Sequence, residues 1–191
     1  AFASACGRAL TWSYTSADLP VISRLTGDPA VVDSSAQLLT EALCHPRWLH
    51  HYLRVSVDSN YVAWRRLDRL YRLRRQLGRF LYTQHLYSNA SLADAQEAYR
   101  DLMMEACLVD HPPEYCFLDW DWQYTSLTLW RSWNLSYSLR EMLCQNIAED
   151  WFRAPESGAW LRTYWQDALQ SPAEKPQERL VGTSTDSAIF L

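Results

Sequence analysis

Glycine is scarce in this chain, five in 191 residues. Scarcity of that kind suits helices, where each interior Gly costs about 1 kcal/mol against Ala. No run of 18 apolar residues occurs, so no helix is expected to span a membrane. Cys-x-x-Cys pairs are missing. The five cysteines, Cys6, Cys44, Cys107, Cys116 and Cys144, are scattered and odd in number. They read as buried thiols of a reducing compartment, not as a disulfide frame. Positive charge is in deficit, with a formal net charge of −4. That counts against nucleic-acid contact by the whole surface and leaves only a local basic face for it. Ser-His-Asp spacing, G-x-S-x-G, a P-loop and G-x-G-x-x-G are all lacking. No secretory signal or Arg-rich transit segment is visible. The first residue is Ala1, with no initiator Met; a removed leader or a longer gene product is expected upstream.

Aromatic residues are what the chain has in excess: ten Trp and eleven Tyr. Side chains of this kind suit cores and subunit interfaces alike, because they join a large apolar body to a polar tip. Both readings stand for the surplus. The common helix formers Leu, Ala, Arg and Gln, together with the shortage of glycine, place the chain in the all-α class, a helical bundle over residues 1–170.

Periodicity and breakers divide that bundle. Residues 2–16 read as a helix, and 17–32, with Pro20, Gly27 and Pro29, as a loop. Asp33 and Ser34 are placed to cap a helix over 35–44. A short helix over 47–57 follows the His45-Pro46 interruption. The clearest long helix covers 60–87, with Leu67, Leu70, Tyr71, Leu77 and Leu81 near one face. Arg65, Arg66, Arg69, Arg72, Arg74, Arg75 and Arg79 crowd the same segment. They are either a solvated face with snorkelling stems or a dock for an acidic partner, a phosphate or lipid headgroups. Ser91 is a cap candidate for a helix over 91–106. A Pro-containing loop covers 108–122, one or two aromatic-rich helices cover 123–153, and a last helix covers 157–169 after Pro155. From 171 to 191 the chain turns polar, too weakly apolar to fold without a partner.

Two carboxylates in Leu118-Asp119-Trp120-Asp121-Trp122 look like an acid/base pair, but loop capping explains them more simply. His45, His50 and His51 offer no shared ligand site, since neighbouring positions on a helix diverge by about 100°. They read as surface or interface histidines.

Two stretches carry a family resemblance. Ser4-Ala5-Cys6-Gly7-Arg8-Ala9-Leu10 resembles the HExGHAL run of M3-type zinc metallopeptidases, the thimet oligopeptidase and mitochondrial intermediate peptidase group. Gly7, Ala9 and Leu10 match. Ser4 and Arg8 stand where the two zinc-binding His would be, and Ala5 stands where the catalytic Glu would be. Without a gap, the family's third ligand, Glu, falls on Asp33 in Val31-Val32-Asp33-Ser34-Ser35. The second stretch, 123–143, resembles the family's substrate-binding run. There Tyr124 falls on its Phe, Leu127 on its Leu, Ser126 on a His that helps hold the scissile carbonyl, and Trp130, Asn134 and Leu135 on tyrosines. Tyr137 alone keeps its Tyr.

The resemblance implies a peptidase remnant with catalytic residues at none of Ser4, Ala5, Arg8, Asp33, Ser126 and Tyr137, and with no zinc or other cofactor. An Arg8–Asp33 ion pair is expected in the vacated place. The family's N-terminal half, the other wall of its channel, is not in this chain, so the old inner face is expected to meet another protein. Trp120, Trp122, Trp130, Trp133 and Tyr137 are the candidate interface. The leading expectation is a non-catalytic structural or assembly subunit of a large complex on the matrix side of mitochondria, with respiratory complexes or ATP synthase ahead of the mitochondrial ribosome. Its partners would be other subunits, with neither a small-molecule substrate nor nucleic acid among them. The alternatives are a peptide-binding pseudo-peptidase and one half of a split, active peptidase.

Overall fold

A computed structural model of the chain describes residues 1–88 and 94–170. The fold is all-α, with no β-strand among the described residues. The helices are α1 (Phe2–Tyr14), α2 (Val21–Thr26), α3 (Pro29–Leu43), α4 (Pro46–Trp48), α5 (Ser59–Ser88), α6 (Ala95–Cys107), α7 (Thr125–Asn146) and α8 (Pro155–Asp167). None among the described residues is long and apolar enough to cross a membrane. Two compact units share the chain: Ala1–Val57 with the residues from Arg131 onward, and Asp58–Trp130.

In the first unit, α3 is the central element. Its N-cap is Asp28, whose Oδ1 accepts from the Ala30 N–H at 2.9 Å. This corrects the expectation that Asp33 and Ser34 cap the helix and that 17–32 is all loop. Pro29 sits in the first turn of α3, where a missing N–H costs nothing and the fixed φ is already helical. Pro20 stands likewise in front of the short α2. Arg131 reaches the same Asp28 carboxylate at 2.7 Å, so one side chain both caps α3 and holds α7.

The core of this unit is built from Ala30, Val31, Val32, Leu38 and Ala42 of α3 against Leu135, Leu139 and Leu143 of α7 and Leu161, Tyr164 and Trp165 of α8. Each Val and Leu among them contributes about 1.5–3 kcal/mol by leaving water. Two serines of α3 lie inside it. Ser35 Oγ accepts the Trp165 indole N–H at 2.9 Å, and Ser34 donates to the Val31 carbonyl at 2.6 Å. Helix α1 crosses α3 at Gly7, where a Cβ would lie 2.6 Å from the Ala36 Cα. Tyr14, at the end of α1, stacks on Trp165 with centroids 5.7 Å apart.

The expected helix over 47–57 is shorter and wider than foreseen. It begins at Pro46, passes into a π-turn over Leu49–Leu53 and stops at Arg54, whose φ of 58° is left-handed. The wide turn is closed by the Val55 N–H on the Leu49 carbonyl at 3.2 Å.

In the second unit, α5 starts at an Asp58 cap that accepts from the Tyr61 N–H at 2.9 Å. Gly78 lets α6 approach closely, since a Cβ there would lie 2.9 Å from the Met103 sulfur and the Ala106 Cβ. The core is Tyr82, Tyr99, Met103, Cys107 and Cys116, with Tyr71 packed against it. Tyr82 and Tyr99 meet edge to face at 5.1 Å.

The leucine-bearing face of α5 is not the covered one. Tyr71 packs inward, whereas Leu67, Leu70, Leu77 and Leu81 are exposed. Periodicity finds a stripe but not which stripe is covered, and here the covered side is Tyr71, Gly78 and Tyr82 with the stems of Arg75 and Arg79. The 108–122 loop is present and holds one short turn, Pro113–Cys116. The 123–153 stretch is a single helix, α7, followed by a short turn over Trp151–Arg153. Pro155 begins α8 rather than merely breaking its predecessor. The Ser91 cap and the 171–191 tail lie outside the described residues.

Candidate functional site

Helices α1 and α3 bring together two of the residues singled out in the sequence. Arg8 Nε donates to Asp33 Oδ1 at 2.6 Å across 25 residues of chain. The close crossing at Gly7 sets this distance, because Arg8 is the next residue on α1 and Asp33 lies less than one turn before Ala36 on α3. Arg8 is half-exposed, at 51%, and Asp33 is 18% exposed. An ion pair this open contributes about 0.2–1 kcal/mol, so its interest lies in position rather than in stability. Ser4 stands one turn before Arg8 on α1, and Ala5 beside it is exposed.

Zinc does not fit this set. A structural or catalytic zinc needs deprotonated His, Cys or carboxylate donors. Here the one carboxylate is held by a guanidinium that keeps its proton, and Ser4 supplies only a neutral hydroxyl. Among the described residues no group of three or more His, Cys, Asp or Glu is placed to hold a metal ion.

Ser126 and Tyr137 belong to different units. Ser126 is buried at the start of α7, where its N–H donates to Asp121 Oδ2 at 2.6 Å and its hydroxyl to Gln76 Oε1 at 3.1 Å. Its role there is structural. Asp121 also accepts the N–H and hydroxyl of Thr125, at 2.9 and 2.6 Å, which bears out its reading as a cap. Burial pushes the Asp121 carboxyl up, but these hydrogen bonds outweigh it and hold the group below its ordinary value. Tyr137 is half-buried on the part of α7 that belongs to the first unit, and so is Trp133.

Of the candidate interface tryptophans, Trp120 and Trp122 are exposed and Trp130 is half-buried. Trp120 neighbours Tyr87 at 6.2 Å, and Tyr87 in turn stacks on Tyr124 at 6.1 Å. Phe117 and Leu118 on the same loop are exposed as well.

Asp119, read in the sequence as a turn former, does something else. One terminal nitrogen of Arg75 lies 2.7 Å from each of its carboxylate oxygens. The Tyr99 hydroxyl donates to Oδ2 at 2.7 Å, and Arg79 Nε donates to the Asp119 carbonyl at 3.2 Å. Burial and the bond to Asp119 both raise the Tyr99 phenol above its ordinary pKa. The signal for this network was present in the sequence. Seven arginines share α5 with one acidic residue, Asp68, so cations turned inward need carboxylates from outside the helix.

Of the three histidines singled out in the sequence, His50 is exposed, and His45 and His51 are half-buried. His50 and His51 line an open hollow of about 400 Å³ with Arg47, Asp150 and Arg153. Both arginines there already hold a carboxylate, Arg47 that of Glu149 at 2.7 Å and Arg153 that of Asp150 at 3.1 Å. His45 caps α4 by accepting the Arg47 N–H on Nδ1 at 3.3 Å.

No protein-family model matches this chain, and no curated protein or solved structure is significantly similar to it.

Proposed function

We propose that this chain is a non-catalytic structural or assembly subunit of a large mitochondrial protein complex, derived from a zinc peptidase of the M3 type. The observation that carries the reading is the Arg8–Asp33 ion pair. Arg8 stands where the resemblance puts the second zinc-binding His, and Asp33 where it puts the third ligand. The two residues meet as two ligands of one metal would, yet their chemistry is that of a salt bridge. The matching Gly7 is the position at which α1 and α3 touch, so a packing device accompanies the altered ligands. Asp33 has its carboxylate committed to Arg8 and Ala5 has no acid or base to offer, so these positions supply no activated water for peptide hydrolysis. The exposed aromatic loop around Trp120 and Trp122 supports a protein partner. Respiratory complexes or ATP synthase are the preferred hosts, and the net negative charge favours them over contact with ribosomal RNA.

The same open aromatic loop favours one second reading, a pseudo-peptidase that binds peptides as a chaperone or targeting factor. Native isolation of the tagged chain from mitochondria, reading co-migrating proteins and bound metal together, separates the two. Stoichiometric recovery in one large metal-free assembly is the expected result. A free small protein carrying a mixture of peptides would support the second reading. A free protein loaded with zinc would overturn both, and Arg8→His is expected to leave the chain unable to bind zinc in direct titration.

A further inference from the structure

The outer face of α5 carries a row of exposed leucines. Leu67, Leu70, Leu77 and Leu81 are 64%, 50%, 36% and 48% exposed. With Arg74 between them they fall at spacings of three, four, three and four residues. That is the seam of a coiled coil, a narrow apolar row matched to the side chains of another helix. Its centre is charged. Arg74 points Nε at the Ala106 carbonyl and a terminal nitrogen at the Glu105 carbonyl, so its charge is fixed beside the row on two backbone carbonyls. Arg66 is exposed on the flank. Asp68, the one acidic residue of α5, is shared by Arg65 at 3.8 Å and Arg72 at 3.0 Å, while Arg75 and Arg79 are held by Asp119.

We infer that this face docks an amphipathic helix of a different protein, one with leucine-type residues along its seam and acidic residues beside Arg74 and Arg66. Charge complementarity selects the occupant. A second copy of this face would set its excess arginines against like charges, which opposes pairing. An acidic helix neutralises them in register. The inference deepens the subunit reading by naming a partner surface, and it rests on that reading for the existence of the partner.

The test uses the full chain and a synthetic peptide of about three heptads, with Leu along its seam and Glu on the flanks, compared with the same peptide bearing Lys in place of Glu. Fluorescence anisotropy is expected to show the Glu peptide binding and the Lys peptide binding at least about tenfold more weakly. Leu70→Ala or Leu77→Ala, both outside the core and checked for unchanged helicity, is expected to weaken the Glu peptide about tenfold by loss of buried apolar area. Arg66→Glu is expected to shift the preference toward the Lys peptide by about threefold, the scale of an exposed ion pair. Equal binding of both peptides, or of neither, overturns the inference. So does self-association abolished by Leu77→Ala, which makes a second copy the occupant. Adsorption to anionic phospholipid vesicles abolished by Leu70→Ala makes it a membrane, and failure of Leu77→Cys to react with a maleimide shows the face covered by the chain itself. Loss of peptide binding with recovery in a large assembly would remove the seam and leave the subunit reading intact. Binding of the Glu peptide by a zinc-loaded free protein would do the reverse.

Discussion

Arg75 and Asp119, 44 residues apart, form the inward ion pair of the second unit, with one guanidinium nitrogen 2.7 Å from both carboxylate oxygens. The pair fastens the loop after α6 to the long helix, and Tyr99 completes it from α6. Removing the cation leaves a buried carboxylate short of its main partner. Arg75→Ala is therefore expected to destabilise the protein by about 2–3 kcal/mol, read as a shift of the urea unfolding midpoint. Arg75→Lys is expected to recover part of that, because the contact is made by a single nitrogen, which an ammonium on a shorter stem reaches less well. A neutral effect of Arg75→Ala would mean that Arg79 and Tyr99 suffice.

Gly7→Ala sets helix propensity against packing. Alanine favours α1 by about 1 kcal/mol. Its Cβ, however, would sit 2.6 Å from backbone atoms of Ala36 and Ser35, which no rotamer change relieves. Overpacking of this kind costs about 1–3 kcal/mol, so packing wins. Thermal unfolding is expected to fall by a few degrees, and the Arg8–Asp33 contact to loosen with it.

His45 gives the first unit a pH dependence whose sign follows from its surroundings. Burial, then Arg140 and Arg47, lower its pKa below the ordinary value, with Glu149 opposing them. The folded state thus prefers the neutral ring, which is also the form whose Nδ1 can accept the Arg47 N–H. Stability from this group is fully present above about 6.5, the unfolded value, and is lost as pH falls through the lower folded value. Melting temperatures at neutral and mildly acidic pH are expected to differ more for the native chain than for His45→Asn, which keeps a capping side chain and does not titrate. Equal differences in the two proteins would assign the acid sensitivity elsewhere.

Leu108 ends α6 with a φ of 58° and is largely exposed. A branched side chain in the left-handed region is strained, and glycine is not. Leu108→Gly is expected to raise stability by about 1 kcal/mol, measured by chemical denaturation; a loss would show that the leucine side chain has an apolar partner worth more than the strain.

Much of this architecture was legible in the residues, and the misses have physical reasons. The long α5 was visible because the leucine spacing repeats along a stretch of 30 residues that holds no proline. Its orientation was not, since the leucine row has the stronger apolar pattern while the true core face mixes Tyr71, Gly78 and Tyr82 with the stems of Arg75 and Arg79. Pro29 hid the start of α3: a proline marks a loop as readily as a first helical turn, and only the Asp28 side chain on the Ala30 N–H decides between them. The π-turn over Leu49–Leu53 has no composition of its own. The meeting of Arg8 and Asp33 was expected through the family resemblance alone, because local spacing says nothing about residues 25 apart. Asp119 and Asp121 look equivalent in Leu-Asp-Trp-Asp-Trp, yet one caps α7 and the other is drawn onto Arg75, a difference set by which carboxylate the inward arginines reach.

Asp28 and Arg131 lie 103 residues apart, and between them the chain makes a whole unit, Asp58–Trp130, from one uninterrupted stretch. During synthesis from the N-terminus that inner stretch is complete when Trp130 leaves the ribosome. At that moment α3 still lacks the helix that carries Arg131, Leu135, Leu139 and Leu143. Local contacts close before distant ones, so the nested segment is able to fold first, while Val31 and Leu38 wait uncovered for residues not yet released. The outer unit thus matures last, and a nascent chain stalled near Trp130 is expected to hold a finished inner unit and an outer one that still needs a chaperone.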